Sequence, residues 1–204
     1  RGYQLGGRSQ LWARQTYRWS DIDFRANKTD GHGIDWPIRY QDIAPWYDHV
    51  EQFVGISGSL EGLDQLPDGK FLPPMTMNCV EAEAKQKIEK AFPTRKMIIG
   101  RCANLTEPTK EHLELGRGRC QFRNECEKGC SFGASFSSLS ATLPAARGTN
   151  NLTTVTDAIV HSVTYDNVSK RATGVRVIDT NTKDYRQYSG RIIFLCASTL
   201  GSTQ

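Results

Sequence analysis

The chain has 204 residues, 38% of them hydrophobic and 24% charged, with 26 Lys and Arg against 22 Asp and Glu for a net charge of +4. This balance belongs to a globular domain able to bury a core, and it excludes a disordered, collagen-like or coiled-coil chain. No apolar run approaches the roughly 20 residues of a membrane-spanning helix, no signal-peptide pattern opens the chain, and the basic residues form no stripe with interleaved aromatics, so neither a membrane span nor nucleic-acid binding is expected.

In residues 1–24, Gly6-Gly7 followed by Ser9 predicts a tight turn whose bare backbone lets a ligand approach closely. Residues 25–100 read as helices and loops. A helix over 41–54 tolerates Pro45 in its first turn and places Ile43, Trp46, Tyr47, Val50, Phe53 and Val54 on one apolar face, directed into a core. A long loop follows from Gly55 to Leu72. A second helix over 80–92 turns Val80, Ala84, Ile88 and Ala91 inward and ends at Pro93, and Lys96 to Gly100 reads as a short strand.

Residues 101–150 are cysteine-rich. Of the six cysteines, Cys79, Cys102, Cys120, Cys126, Cys130 and Cys196, three form a Cys-x5-Cys-x3-Cys loop, Cys120 to Cys130. Thiolates so close in sequence can converge on one metal centre, with Gly129 relieving the turn, and three of them suit a three-iron cluster better than a four-cysteine one. Zinc with Cys102 or His112 as a fourth ligand, a disulfide, and plain reduced thiols are open alternatives. The histidines His32, His49, His112 and His161 lie in no motif and read as surface or loop residues.

From Thr153 onward the period becomes strand-like. Thr153–Thr156, Ile159–Tyr165, Gly174–Asp179 and Tyr185–Tyr188, divided by turn residues, predict an antiparallel meander. The continuously apolar Ile192–Ala197 reads as a strand buried in a parallel sheet, with small polar residues just past its end, where open α/β sheets bind ligands. The chain does not begin with Met and stops shortly after this run, so it reads as a piece of a longer protein.

Three segments together resemble the glucose–methanol–choline (GMC) flavoprotein oxidoreductases. Gly6 to Ala13, with Arg18 and Asp23-Phe24 behind it, is similar to their first flavin loop; Asn151 to Val160 to their adenine-side strand; Arg191 to Ser202 to their returning strand and second flavin loop. The order and spacing match over essentially the whole chain. The resemblance implies a mixed α/β and α+β fold. Residues 1–24 and 151–204 would belong to a Rossmann-like FAD-binding domain with an antiparallel meander, and 25–100 partly to a substrate-binding domain. It also implies non-covalent FAD, because Leu11 stands where covalently flavinylated relatives carry histidine. Gly6, Gly7 and Ser9 would approach the cofactor through their backbone, and Trp12 and Ala13 would lie beside the isoalloxazine. Val160 would meet the adenine, and Cys196, Ala197 and Ser198 the flavin-binding sheet edge, although the family commonly has Ala-Gly at Ala197-Ser198.

The implied activity is hydride transfer from an alcohol carbon of a sugar, glycoside or polyol to flavin N5. The diphosphate-binding Gly-x-Gly-x-x-Gly and the late histidine pair of the family do not appear, so no catalytic base is assigned. The Cys120–Cys130 loop, continued by Ser131-Phe132-Gly133-Ala134, resembles that of the catalytic subunits of bacterial glucose, glucoside-3 and gluconate dehydrogenases. There it implies a [3Fe-4S] cluster held by Cys120, Cys126 and Cys130, with a small subunit and a cytochrome as partners. An oxidase using oxygen without iron, and a non-catalytic metal- or thiol-stabilised module, are the alternatives. Periplasm and cytoplasm are equally open as the compartment of a soluble protein.

Overall fold

Gly6 and Gly7, both in the left-handed region at φ 89 and 50, turn the chain into a 3-10 segment at Gly7–Gln10 in the computed structural model, which describes residues 2–203. One structural unit runs to Leu152 and a second begins at Thr153.

The first unit is mainly helical. The short helices α1 (Asp21–Phe24) and α2 (Ala26–Asp30) follow a cap at Ser20, whose hydroxyl accepts from the Ile22 amide at 3.2 Å. Helix α3 (Tyr40–Val54) stops at Gly55, which adopts φ 80 and packs against Leu105 too closely for any side chain. Pro45 is its sixth residue, past the first turn, and having no amide hydrogen it leaves the Gln41 carbonyl without a helical donor.

The expected apolar face of α3 is buried only in part: Val54 enters the core with Phe53 packed against it, and Ile43 and Tyr47 are half-buried. Trp46 and Val50 are 69% and 53% exposed, whereas Glu51 is buried. The reason is Arg18, almost wholly buried, whose guanidinium donates to both Glu51 oxygens, to Asp48 and, at 2.8 Å, to the Tyr40 hydroxyl. Burial works against this charge, but the hydrogen bonds it donates to Glu51, Asp48 and Tyr40 outweigh it and hold Arg18 protonated well beyond the ordinary arginine range. Thus α3 turns a charged stripe inward. A side chain at Gly69 would collide with the Glu51 carboxylate and the Arg18 guanidinium.

Helix α4 (Cys79–Ala91) forms because Asn78 caps it, accepting from the Val80 and Glu81 amides at 3.0 Å, while Glu81 accepts from the Asn78 amide. None of its residues is buried and Val80 is 71% exposed, so the expected inward face stands uncovered. Residues 96–100 form no strand; the pairing begins one residue later, in the segment Arg101–Leu105.

That segment is the centre of the unit. The Arg101 carbonyl accepts from Thr16, Cys102 exchanges hydrogen bonds with Ser57, and Ala103 donates to the Arg14 carbonyl while accepting from Phe136. Leu105 donates to Ala134 and accepts from Cys120. Around it Val54, Ile56 and Ala103 form a small buried core, joined by Trp12, Phe53, Phe71 and Phe136. Helix α5 (Lys110–Glu114) carries His112, which is buried rather than superficial. The Thr109 amide donates to its Nδ1 at 3.0 Å, so Nε2 carries the hydrogen and donates to the Gln52 carbonyl at 2.9 Å. A single π-helical turn, Ser138–Thr142, leads into α6 (Leu143–Gly148).

The second unit is the expected meander. Strands β1 (Ala158–Asp166), β2 (Arg171–Asp179) and β3 (Tyr185–Ser189) pair antiparallel in the order β1-β2-β3, and residues 153–156 lie outside it. Asp166 and Asp179 accept from following amides and set the two turns. Ile192–Ala197 is not a strand, and Phe194 within it is 81% exposed. A doubly buried strand needs neighbours on both edges. Among the described residues none pairs with it. The chain ends in α7 (Ser198–Thr203).

Two outcomes follow. Breaking the buried pair with Arg18→Met is expected to lower stability in urea unfolding by about 3–5 kcal/mol. Burial, reinforced by the nearby Arg117 charge, also depresses the His112 pKa below its ordinary 6.5. The unfolded chain therefore takes up that proton first, so thermal stability should fall as the pH drops below 6.5, and His112→Gln should flatten the decline.

Candidate flavin-loop cavity and cysteine loop

The Gly6–Gln10 turn is fastened from two sides. Ser9 donates its hydroxyl to the Gly6 carbonyl at 2.6 Å and accepts the Ser138 amide at 2.9 Å, which ties the turn to the π-helical segment. A Cβ at Gly6 would sit 3.1 Å from Leu139 Cγ and 2.8 Å from Gln10 Nε2, so both its conformation and its neighbours demand glycine. The amides of Gly7 and Ser9 already donate within the turn, to the Gln4 and Gly6 carbonyls.

Beside the turn lies a cavity of about 530 Å³, lined by Ser9, Gln10, Leu11, Trp12 and Arg14 on one side and by Cys126 to Ser131 and Ser135 to Ser137 on the other. The Trp12 ring is held in place: its Nε1 donates to the Phe136 carbonyl at 3.0 Å, and the two rings meet edge to face at 6.1 Å. Ala13 is exposed. None of the four histidines lines this cavity.

Val160, Cys196, Ala197 and Ser198 belong to the second unit. Val160 pairs with Val177 on β2 and is exposed, as is Cys196. Ser198 adopts φ 69, the conformation that the glycine common at this position would take without strain.

The cysteine loop is anchored at both ends, by Gly118 donating to the Phe132 carbonyl at 2.6 Å and Cys120 to the Leu105 carbonyl at 2.7 Å. Inside it, Phe122 and Asn124 have left-handed backbones, Cys126–Lys128 is a 3-10 turn, and Gly129 takes φ 107. Cys120, Cys126 and Cys130 line one small groove and are free thiols. Among the described residues, however, no three His, Cys, Asp or Glu side chains converge where they would hold a metal ion. This arrangement does not fit a cluster or a zinc ion, and His112, with both ring nitrogens engaged, is no fourth ligand.

Two arginines in this region, Arg117 buried and Arg14 half-buried, are placed by the fold. Arg117 lies under the loop, donating to the Gly133 carbonyl at 3.0 Å and the Phe53 carbonyl at 3.3 Å, with Nη2 unpaired. Burial, only partly opposed by Cys130, depresses its pKa to about 10. Arg14 faces the cavity. Arg117 is buried by contacts distant in sequence, which spacing does not reveal.

Comparison with known proteins places GMC oxidoreductases over residues 1–204. The fructose dehydrogenase large subunit of Gluconobacter japonicus is 22% identical over 186 residues, 89% of this chain and 32% of its own length. The 2-methyl-1,2-propanediol dehydrogenase of Mycolicibacterium austroafricanum is 40% identical over 68 residues, 31% of this chain and 12% of its own length. Paromamine 6'-oxidase of Streptomyces fradiae is 29% identical over 135 residues, 64% and 23% respectively. The chain thus spans about a third or less of the length of these relatives. No helix among the described residues is long and apolar enough to cross a membrane.

Gly6→Ala is expected to destabilise the protein by about 1–3 kcal/mol in urea unfolding, because the left-handed backbone would then carry a side chain.

Proposed function

Because this chain belongs to the GMC oxidoreductase family, whose N-terminal domain is a Rossmann-like FAD-binding fold, we propose that it builds the flavin-facing wall of an enzyme oxidising an alcohol group of a sugar, glycoside or polyol. The observation that carries this reading is the Gly6–Gly7 turn, held left-handed beside a cavity walled by the fixed indole of Trp12. A bare backbone beside a flat aromatic wall suits a large aromatic cofactor.

Bound FAD would supply the acceptor for a hydride from the alcohol carbon. The residues of this chain position and shield. Trp12 closes one side of the cavity against water, held there by Phe136. Ser9 keeps the turn closed on Ser138. Leu11 has no ring nitrogen to attach to a flavin, which makes binding non-covalent. In this reading Ala13 accompanies Trp12 at the ring system, Val160 serves the adenine, and Cys196, Ala197 and Ser198 the second flavin loop. No residue here is assigned the role of accepting the alcohol proton.

The named substrates of the relatives, fructose, 2-methyl-1,2-propanediol and paromamine, all carry alcohol groups, which supports the substrate class. A relative named as a large subunit supports a subunit partner. The Cys-x5-Cys-x3-Cys spacing supports a three-iron cluster passing electrons to a carrier such as a cytochrome, but the folded loop does not gather its sulfurs, and no electron path is drawn through it. The relative named as an oxidase favours a second reading, in which electrons return to oxygen.

The full-length protein, purified without oxygen, is expected to release FAD on acid treatment. Iron at the stoichiometry of a three-iron cluster would support the carrier-linked dehydrogenase. Hydrogen peroxide on turnover without iron would support the oxidase, and a protein with no flavin would refute the assignment.

A further inference from the structure

The cavity beside the Gly6–Gly7 turn contains a cation, Arg14, that is engaged in no ion pair among the described residues. Its Nε is buried without an acceptor. The position is held firmly. Its carbonyl accepts the Ala103 amide at 2.9 Å, the next residue, Gln15, bridges to Cys102, and its own backbone sits at φ 67. A side-chain-bearing residue persists in that conformation only where its surroundings fix it.

The other ionisable groups near Arg14 do not supply its counter-charge. Glu127 and Lys128 line the same cavity, both exposed, so its charged lining is two cations, Arg14 and Lys128, against one carboxylate. Cys102 feels the Arg14 charge, but burial is the larger effect and pushes its pKa above 9.0, so it stays a neutral thiol. Cys126 and Cys130 complete the opposite side. A guanidinium presents donors in a planar fork suited to carboxylate and phosphate oxygens.

We propose that Arg14 anchors a subsite for an anionic polyol, a sugar derivative whose carboxylate or phosphate group meets the guanidinium while its hydroxyl groups lie in the cavity. The placement of this subsite beside the flavin rests on the function proposed above; the binding itself does not.

The test is calorimetric titration of the full-length protein in low-salt buffer with D-glucose, D-glucuronate and D-glucose 6-phosphate, which share a ring and differ at C6. At least one anion is expected to bind roughly 10- to 100-fold more tightly than glucose, and which one does so separates carboxylate from phosphate recognition. The ratio of anion to glucose affinity should collapse in Arg14→Met and recover in part in Arg14→Lys. In the wild type it should fall as sodium chloride is raised from about 0.02 to about 0.5 M, a readout that stands even if a variant fails to fold.

Equal affinities, absence of anion binding, or a ratio that survives in Arg14→Met would overturn the proposal. So would an Arg14→Met protein that loses flavin or iron while keeping the ratio. A wild type that binds the anions yet carries no flavin would defeat the flavoenzyme reading and leave the anion subsite in place.

Discussion

Five residues, Arg101–Leu105, hold the first unit together by backbone hydrogen bonding. They connect the stretch after the glycine turn, through Arg14 and Thr16, to the exit of α3 at Ser57, to the start of the cysteine loop at Cys120 and to the Ala134–Phe136 return. Each link joins segments far apart in sequence, so closing it fixes large loops at once. The position of Trp12 depends on it, since the carbonyl that receives the indole hydrogen belongs to Phe136, whose own amide is held by Ala103.

Around this segment the unit is buried through charge as much as through apolar surface. Three guanidiniums, those of Arg18, Arg101 and Arg117, are nearly inaccessible. Arg18 is matched by Glu51 and Asp48, and Arg101 by Asp68 at 2.7 Å with the Phe71 ring stacked at 4.6 Å. Arg117 has only carbonyls and the Phe136 ring, 5.7 Å away. Burying charge carries a large desolvation cost that pairing only partly returns, so such pairs serve position more than stability. They orient α3 against the chain behind the Gly6–Gly7 turn and seat the cysteine loop.

What could be read from the residues was what local chemistry determines. The helices expected over 41–54 and 80–92, the antiparallel meander of β1 to β3 and the Gly6-Gly7 turn all appear in the folded chain. What failed was the inference from apolar spacing to burial. Trp46 and Val50 have helical spacing yet face outward, because Arg18, some thirty residues earlier, draws Asp48 and Glu51 inward instead. The burial of Arg117 was illegible for the same reason. Nothing next to an arginine in sequence tells whether a distant carbonyl or ring will enclose it. The cysteine spacing was plain, whereas convergence of its sulfurs is a three-dimensional property that spacing does not decide.

The uncovered run Ile192–Ala197 has a further consequence. It is a six-residue stretch of β-branched, aromatic and aliphatic residues with no charge and no proline, and its backbone lies open. Such a stretch pairs with whatever strand edge it meets, and in a concentrated sample the nearest edge belongs to another copy. The tract that sheet formation would bury is therefore also the place from which this unit, handled by itself, would aggregate.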